Sequence, residues 1–273
     1  MCTATFYPFE DGRFLLFFNR DESRARPKAT RPDLTIVNNV QCLFPSDPAA
    51  SGTWLAVQEN GIVACIINGF SKTQRHGEKS RSRIIKKLLG SLDEEELRVR
   101  FGLLNLPLYA PFQLITFIPK PKRDPKILSW KWDGRMLHSY HSLSGPQIWA
   151  GSNEGGNDPS LYRKILWQEF LLKNPQMSPE ALHNFHFSTD QQPDARTVTM
   201  KRSESRTVSV SELTVSSESI EFTYYNNSPW KAPVSTTDVL SIREIKPIMP
   251  SNLSKGPTLP LPVPRQILQK DAE

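Results

Sequence analysis

The chain has 273 residues, of which 38% are hydrophobic and 23% are charged, and its net charge is +6. This length allows one large domain or two small ones with a full hydrophobic core, and the composition suits a soluble globular protein. No segment approaches the roughly 18 consecutive apolar residues of a membrane span. The chain does not open with a basic region followed by a long apolar stretch, so no secretory signal is predicted. Three cysteines do not make a disulfide framework, which favours a reducing cytoplasm.

Basic residues cluster in three segments, 20–31, 79–87 and 120–126. A positive excess of this kind can indicate an anionic ligand or a nucleic acid. The sequence has no recognisable zinc finger, basic zipper or RNP motif. We therefore interpret the clusters as solvated surface and a helix face, and we expect no nucleic-acid partner.

The first part of the chain predicts strands, tight turns and two helices. Four segments have the length and apolar content of strands, namely residues 3–9, 13–18, 51–57 and 62–67. Residues 19–32 are polar and rich in arginine, with two prolines, which predicts a loop. A basic amphipathic helix is predicted over residues 80–90. Ser91 is predicted to cap a second helix, whose first turn is acidic.

The rest of the chain predicts helices followed by more strands. The strands are predicted at residues 113–118 and 127–132, and as hairpins with one polar face over 197–225. Asp158-Pro159 and Ser178-Pro179 each predict the start of a helix, with a capping residue before a proline. The apolar face of the first of these helices is predicted to be Leu161, Ile165, Leu166 and Phe170.

The grouping of strands and helices favours an α+β layered fold over a doubly wound parallel sheet. No glycine-rich phosphate loop is present, which argues against the common nucleotide-binding folds. We expect one domain over residues 1–246. Residues 247–273 are expected to form a proline-rich, poorly packed tail.

Cys2 directly follows the initiator methionine, and methionine before a small residue is usually removed. The chain would then begin with a residue that carries both a thiol and a free α-amino group. Such an amine has a reference pKa of about 8, so it can accept the thiol proton without a separate histidine base. The alternative is that Cys2 is a small buried hydrophobic residue.

Cys2 is followed at distinctive spacings by other polar and glycine-containing motifs. These motifs are Asn19-Arg20-Asp21-Glu22, Gly52-Thr53-Trp54, Asn68 after an apolar strand, Gly151-Ser152-Asn153, and Arg206-Thr207-Val208-Ser209. In this order the set resembles the NRDE family, which includes the Transport and Golgi organisation protein 2 group. The resemblance is strongest over residues 1–90. Ser51 departs from it, because the family usually has glycine there, and we expect little consequence.

The NRDE family is in turn similar to N-terminal-nucleophile hydrolases of the choloylglycine hydrolase and penicillin V acylase type. This resemblance implies a four-layer αββα sandwich in which Cys2 is the nucleophile and its amine is the base. It also implies that Asp21 holds the amine and that Asn68 donates to the oxyanion. Asn153 would match a second active-site asparagine, and Arg206 an arginine near the site.

One departure from the acylases concerns the charge beside the nucleophile. The acylases carry an arginine immediately before the asparagine of this segment, and here that position is Phe18. Arg20 lies two positions on, which is the same face of a strand, so it can take the place of that arginine. Otherwise the thiolate loses a cationic neighbour and its pKa should be higher. Alternative interpretations are that Asn19 and Asp21 are turn or cap residues and that Asn68-Gly69 is only a turn.

The remaining cysteines and the histidine pairs have structural explanations. Cys42 and Cys65 are expected to be buried hydrophobic residues. His183 and His186 share a predicted helix face, and His138 and His141 have the same spacing in a less regular segment. Neither pair has nearby cysteines or a His-Glu motif, so we expect no metal site and no cofactor.

The sequence leaves two functions open. The first is a cysteine amidohydrolase that cleaves C–N bonds other than peptide bonds, or thioesters, through an acyl-Cys2 intermediate. The second, implied by the Transport and Golgi organisation group, is a non-catalytic carrier of an amphipathic ligand such as haem, a lipid or acyl-coenzyme A. Both predict a small-molecule partner, and fold alone does not decide between them.

Overall fold

The computed structural model describes residues 2–69, 77–120, 123–141, 143–151, 159–188, 194, 196–226 and 234–243. Asn153, Asp158 and the predicted tail at 247–273 lie outside these ranges. The expected domain boundary near residue 246 therefore stays a prediction.

The strands of the described residues form two antiparallel sheets. The first sheet has six strands in the spatial order β10 (Gln147–Ala150), β1 (Cys2–Pro8), β2 (Phe14–Ser23), β11 (Ser205–Val215), β12 (Ser219–Asn226) and β13 (Val234–Ser241). The second has seven strands in the order β3 (Asp33–Val37), β4 (Val40–Phe44), β5 (Leu55–Gln58), β6 (Val63–Asn68), β7 (Phe112–Lys120), β8 (Arg123–Trp132) and β9 (Leu137–His141).

The helices of the described residues cover the outer faces of the two sheets. They are α1 (Ser82–Leu88), α2 (Glu94–Gly102), α3 (Pro159–Lys173) and α4 (Pro179–Phe187). Trp167 of α3 and Leu182 of α4 pack on Leu15 and Phe17 of β2, on the outer face of the first sheet. Helices α1 and α2 contribute buried residues to the larger core, which includes the second sheet. The predicted four-layer αββα sandwich is confirmed.

Strand β2 contributes to both hydrophobic cores, the one between the sheets and the one under α3 and α4, because its side chains alternate between its two faces. Leu16 and Phe18 belong to the core between the sheets, where Phe6 stacks on Phe117 with ring centroids 5.3 Å apart. Leu15 and Phe17 face the helices instead. The same alternation continues through the polar end of β2 and sets the direction of every side chain in the Asn19–Glu22 motif.

Strand β2 also corrects the loop predicted over residues 19–32, because it continues to Ser23. Its polar end is held on both sides, with Arg20 opposite Cys2 of β1 and Asp21 opposite Thr207 of β11. A central strand can carry polar residues when its neighbours satisfy them, and a single sequence does not show those neighbours.

The predicted apolar face of α3 is wrong in two of its positions. Leu161 is 61% exposed and Ile165 is 47% exposed. The buried positions include Arg163 and Trp167. The helix is rotated because the sheet beneath it offers a carboxylate and a hydroxyl to Arg163.

Smaller differences concern a helix cap and several strands. Asp93, rather than Ser91, caps α2 by accepting from the Glu96 N–H. The short strands β3, β4, β9, β10 and β13 were not predicted, because several are polar or lie at sheet edges and lack an apolar pattern. His138 and His141 lie in β9, where an odd spacing places them on opposite faces.

Ser51 has a backbone φ of +52°, in the left-handed region that favours glycine. A serine is therefore strained at this position, and the expectation that the departure has little consequence stays a prediction. We predict that Ser51→Gly raises the free energy of unfolding by about 0.5–1 kcal/mol, measured by urea denaturation. Ser139→Gly, at an exposed position in β9, should instead lower it by a similar amount. Equal effects of the two variants would contradict the strain at Ser51.

Candidate active site

Cys2 is the first residue of β1 and lies at the end of the core between the two sheets. Its Cα lies opposite that of Arg20, and its carbonyl oxygen accepts from the Gly151 N–H at 2.8 Å. The residue is 6% exposed. It borders a cleft of about 160 Å³, here called the Cys2 cleft. The lining residues are Cys2, Arg20, Asp21, Glu22, Arg26, Asp47, Trp54, Ile66, Asn68, Ser80, Arg81 and Ser82.

The pKa of the Cys2 thiol is set by burial against nearby charges. Burial raises this pKa, and the negative charge of Asp21 raises it further. The positive amino group of Met1 in the unprocessed chain, the Asp21 backbone N–H that bonds to the sulfur, and Arg20 all lower it. Burial, with a smaller contribution from the charge of Glu59, raises the pKa of Cys42 to about 11, and burial raises that of Cys65 still more. Of the three cysteines, Cys2 is the one with cationic groups nearby to oppose the effect of burial.

The backbone N–H of Asp21 bonds to the Cys2 sulfur, whereas the Asp21 side chain lies on the helix-facing side of β2. Its carboxylate is buried under α3, where Oδ2 accepts from both terminal nitrogens of Arg163 at 3.2 Å. Oδ1 accepts from the Thr207 hydroxyl at 2.7 Å. The carboxylate is therefore held in a fixed direction beside the first residue of β1. Arg163 was missed by the sequence reasoning, which placed it among the residues of an ordinary amphipathic helix.

Arg20 shares the inner face of β2 with Phe18 and Glu22. Phe18 is fully buried in the core, so the missing arginine at that position leaves no cation there. The Arg20 guanidinium lies 4.2 Å from the centre of the Trp54 ring and donates to Asp47 at 3.2 Å. It also donates to Glu22 at 3.3 Å. Arg20 is thus a fixed cation next to Cys2. It lies on the same face of β2 as Phe18, as the spacing of two residues predicts.

The turn before β5 positions the partners of Arg20. Asp47 accepts from the Arg20 and Arg26 guanidinium groups, and its N–H donates to the Gly52 carbonyl at 2.9 Å. The Thr53 N–H donates to the Ser82 carbonyl at 2.9 Å, which fastens the turn to α1. A Cβ at Gly52 would overlap Ser82, so glycine is required there. Gly52 and Thr53 therefore hold Trp54 over Arg20.

Asn68 and Arg81 reach the Cys2 cleft from the second sheet and its helix layer. Asn68 is the last residue of β6 and lines the cleft. Arg81 immediately precedes α1 and donates to the Pro111 carbonyl at 2.9 Å. Burial lowers the pKa of Arg81, while the charges of Cys2 and Glu22 raise it. Arg81 is a second cation near the sulfur, and the sequence analysis had assigned its segment to surface and helix face.

Arg206 is separated from Cys2 in the structure. It lies opposite Glu22 in the β11–β2 ladder and lines a neighbouring cleft of about 260 Å³. That cleft shares Arg20, Glu22 and Arg26 with the Cys2 cleft but does not include Cys2. The structure therefore brings together Cys2, Arg20, Asp21 and Asn68, and it places Arg206 beside them.

A sequence profile of the Transport and Golgi organisation 2 family matches residues 1–210. The chain belongs to this family. Comparison with curated protein sequences gives no significant match.

Solved structures similar to this member of the Transport and Golgi organisation 2 family include a bile acid hydrolase and an acid amidase. A mutant and a variant of conjugated bile acid hydrolase from Clostridium perfringens match with TM-scores of 0.51 and 0.52 at 10% identity. Each match covers 92% of this chain and 100% of the other. The Caenorhabditis elegans ortholog of N-acylethanolamine-hydrolyzing acid amidase matches with a TM-score of 0.51 at 12% identity, covering 77% of this chain and 92% of that one. These matches show the N-terminal-nucleophile hydrolase fold.

In this family member the side chain of Asn19 has a structural role, because its hydrogen bonds are made to the helix layer and not to the Cys2 cleft. Its side chain points to the helix layer and donates to the carbonyls of His186 and Val198 at 3.0 and 3.2 Å. Its Oδ1 therefore accepts from His186 Nδ1 at 2.7 Å, which leaves Nε2 to accept from the Thr5 hydroxyl at 2.6 Å. Asn19 thus joins α4 to β1 and β2, one residue before the arginine of the cleft.

A larger cleft of about 610 Å³ meets the Cys2 cleft at Asn68. Its walls come from β7, β8, β10 and α3. They include the aromatic rings of Trp149 and Trp167 and the cations Lys131 and Lys164. Together the two clefts form a continuous site with Cys2 at one end and the larger, partly apolar cleft at the other.

The described residues contain no group of three or more histidine, cysteine or acidic side chains that could hold a metal ion. No helix among them is long and apolar enough to cross a membrane. His183 contacts Glu212, and His186 is engaged by Asn19 and Thr5.

His186 makes stability depend on pH. Burial, followed by the charge of His183, lowers the pKa of His186 to about 3. An unfolded histidine has a pKa of about 6.5, so below that pH the unfolded chain binds a proton that the folded chain does not. The free energy of unfolding should therefore fall by about 1.4 kcal/mol per pH unit as the pH drops below about 6.5.

We predict that His186→Gln removes this contribution to the slope in urea unfolding between about pH 7 and pH 5. His183→Gln, on the same helix but half-buried, is the control and should keep the wild-type slope. An unchanged slope in His186→Gln would show that the folded and unfolded chains bind the same number of protons at His186 over this pH range.

Proposed function

We propose that this protein is an N-terminal cysteine hydrolase that cleaves amide C–N bonds other than peptide bonds, or thioesters, through an acyl-Cys2 intermediate. The observation that carries the proposal is the convergence of Cys2, Arg20, Asp21 and Asn68 on one cleft between the sheets. The similar solved structures include a conjugated bile acid hydrolase and an N-acylethanolamine-hydrolyzing amidase, which supports the same class of reaction.

The first step exposes the catalytic pair. Hydrolysis of the Met1–Cys2 peptide bond leaves Cys2 with a free α-amino group at the start of β1. This amine takes the thiol proton, which gives a thiolate and an ammonium group. In this proposal Asp21 orients the ammonium, and Arg20 and Arg81 stabilise the thiolate against the cost of burial.

The thiolate then attacks the carbonyl carbon of the substrate, and the carbonyl oxygen becomes an oxyanion. The Asn68 side-chain amide can donate to this oxyanion from the opposite wall of the cleft. Donors of this kind contribute about 3 kcal/mol of transition-state stabilisation in other hydrolases.

Collapse of the tetrahedral intermediate breaks the C–N bond. The leaving amine takes a proton from the Cys2 ammonium, and the acyl group remains on sulfur as a thioester. Water then attacks the thioester while the α-amine accepts its proton. The carboxylic acid leaves, and the sulfur recovers its proton from the ammonium. In this cycle the same amine acts as base and as acid.

The second candidate function is a carrier for an amphipathic ligand such as a lipid, haem or acyl-coenzyme A. The observation that favours it is the cleft of about 610 Å³, which is larger than the Cys2 cleft. Its tryptophans suit an apolar group, and Lys131 and Lys164 suit an anionic one. Binding there does not require a reactive Cys2.

We predict that a mild thiol-directed acyl electrophile forms one adduct on Cys2 in the processed, untagged protein, detected by intact mass and peptide mapping. Cys2→Ser should form no thioester adduct. Cys42→Ser is the matched control and should acylate at the wild-type rate, because Cys42 is fully buried with a pKa of about 11. An inert Cys2 in the processed chain would exclude the hydrolase.

Retention of Met1, achieved by an N-terminal extension or by inhibition of the methionine aminopeptidase, should also abolish acylation, because the nitrogen of Cys2 is then held in a peptide bond. Acylation that persists with an extension would assign the base to another group.

The carrier predicts the opposite dependence on Cys2. We expect a carrier to bind a fluorescent fatty-acid analogue, haemin or acyl-coenzyme A equally well with Cys2 or with Cys2→Ser. Lys131→Ala combined with Lys164→Ala should weaken an anionic probe by about tenfold or more if each cation contributes about 1 kcal/mol. Titration by fluorescence would measure both. Turnover that is lost with Cys2→Ser would favour the hydrolase.

A further inference from the structure

Arg163 is a fully buried cation in the middle of α3, and its charge is paired. Its side chain and that of Asp21 are both 0% exposed, and Arg163 Nη2 lies 3.2 Å from Asp21 Oδ2. Burying two charges costs several kcal/mol per ion unless close geometry and further hydrogen bonds offset it. A buried pair of this kind therefore adds little net stability, so stability alone does not account for it.

Arg163 donates hydrogen bonds to β1, which carries the nucleophile, to its neighbour β2, and to the segment before β11. Nη1 donates to the Thr3 hydroxyl at 2.6 Å, and Thr3 is the residue after Cys2. Nη1 and Nη2 both donate to Asp21, one residue after Arg20 on β2. Nε donates to the Arg196 carbonyl at 3.2 Å, which fixes the plane of the fork. One guanidinium thus ties together β1, β2 and the segment before β11.

We propose that Arg163 is a positioning residue for the Cys2 nucleophile, which holds Asp21 and Thr3 in place and balances the Asp21 charge beside the sulfur. This inference rests on the proposed function. Arg163 faces the helix layer, on the far side of the sheet from the Cys2 cleft, and it acts through Asp21 and Thr3.

The charge balance matters because an isolated carboxylate at Asp21 would oppose thiolate formation. The Asp21 charge raises the pKa of Cys2. An unbalanced Asp21 would also hold the α-amine as ammonium, in which form it cannot accept the thiol proton. With Arg163 paired to it, Asp21 can orient the amine while its net electrostatic effect on the sulfur is reduced.

The other charges near Cys2 come from several elements and remain in place when Arg163 is changed. They are the amino terminus that precedes β1, Arg20 and Glu22 on β2, Arg26 and Asp47 in the following loops, Cys65 on β6, and Arg81 before α1. A change in the titration of Cys2 on replacing Arg163 is therefore assignable to the pair with Asp21.

The test is the pH dependence of the alkylation rate of Cys2 by iodoacetamide in the processed full-length chain. We expect Arg163→Met to raise the midpoint by about one pH unit, which slows alkylation near neutral pH by about tenfold. Arg163→Lys keeps the charge and should recover most of the rate.

Leu182→Ala is the structural control. Leu182 lies on α4, is fully buried and packs on the same outer face of the first sheet. This variant should lower the thermal stability and leave the midpoint unchanged. A midpoint that moves equally in Leu182→Ala and in Arg163→Met would reduce Arg163 to a packing residue and overturn the proposal.

A double variant covers the case in which Arg163→Met does not fold because it leaves Asp21 buried and unpaired. Asp21→Asn with Arg163→Met removes both charges together, so the net charge beside Cys2 is unchanged and the midpoint should lie close to that of the wild type. A midpoint raised as much as in Arg163→Met alone would overturn the charge balance. If wild-type Cys2 is itself inert, the proposed function and this inference both fail. If it reacts and Arg163→Met has the wild-type profile, only this inference fails.

Discussion

The site depends on the position of β2 between β1 and β11 in the first sheet. This pairing places Arg20 opposite Cys2 and Asp21 opposite Thr207. Because successive side chains of a strand point to opposite faces, the motif is divided between two environments. Arg20 and Glu22 face the cleft between the sheets, while Asn19 and Asp21 face the helices. The first pair contributes to the cleft and the second pair binds the helix layer. A shift of register by one residue would place each pair on the opposite face of the sheet.

In the Cys2 cleft, burial raises the pKa of the thiol, and nearby arginines that are paired with carboxylates oppose this effect. A thiol this deep in the protein is disfavoured as a thiolate, and the surrounding arginines oppose that effect. Arg20 and Arg26 are themselves fixed by Asp47 and Glu22, so the cations are held in place before any substrate arrives. Preorganised charges of this kind need little rearrangement during a reaction.

The sequence analysis succeeded where the signal was local or alternating. It predicted the β1–β2 hairpin, β6, the helices that begin at Pro159 and Pro179, and the layered α+β class, and the family resemblance supplied the four-layer arrangement. It did not predict the strand character of residues 19–23, since polar residues in a central strand depend on what the neighbouring strands offer. It also misassigned the buried face of α3, because a buried arginine has no pattern that distinguishes it from a surface one.

By itself the sequence determined which residues are candidates for chemistry: a cysteine after Met1, the Asn19–Glu22 motif, and Asn68 at the end of an apolar strand. These are statements about residue types and spacing along the chain. Only the tertiary structure decided which candidates meet. It brought Arg81 to the thiol, placed Arg206 in a neighbouring cleft, and buried Arg163 against Asp21. Those contacts join residues far apart in the chain, such as Asp21 and Arg163, so they depend on sheet register and helix docking, which no local pattern encodes.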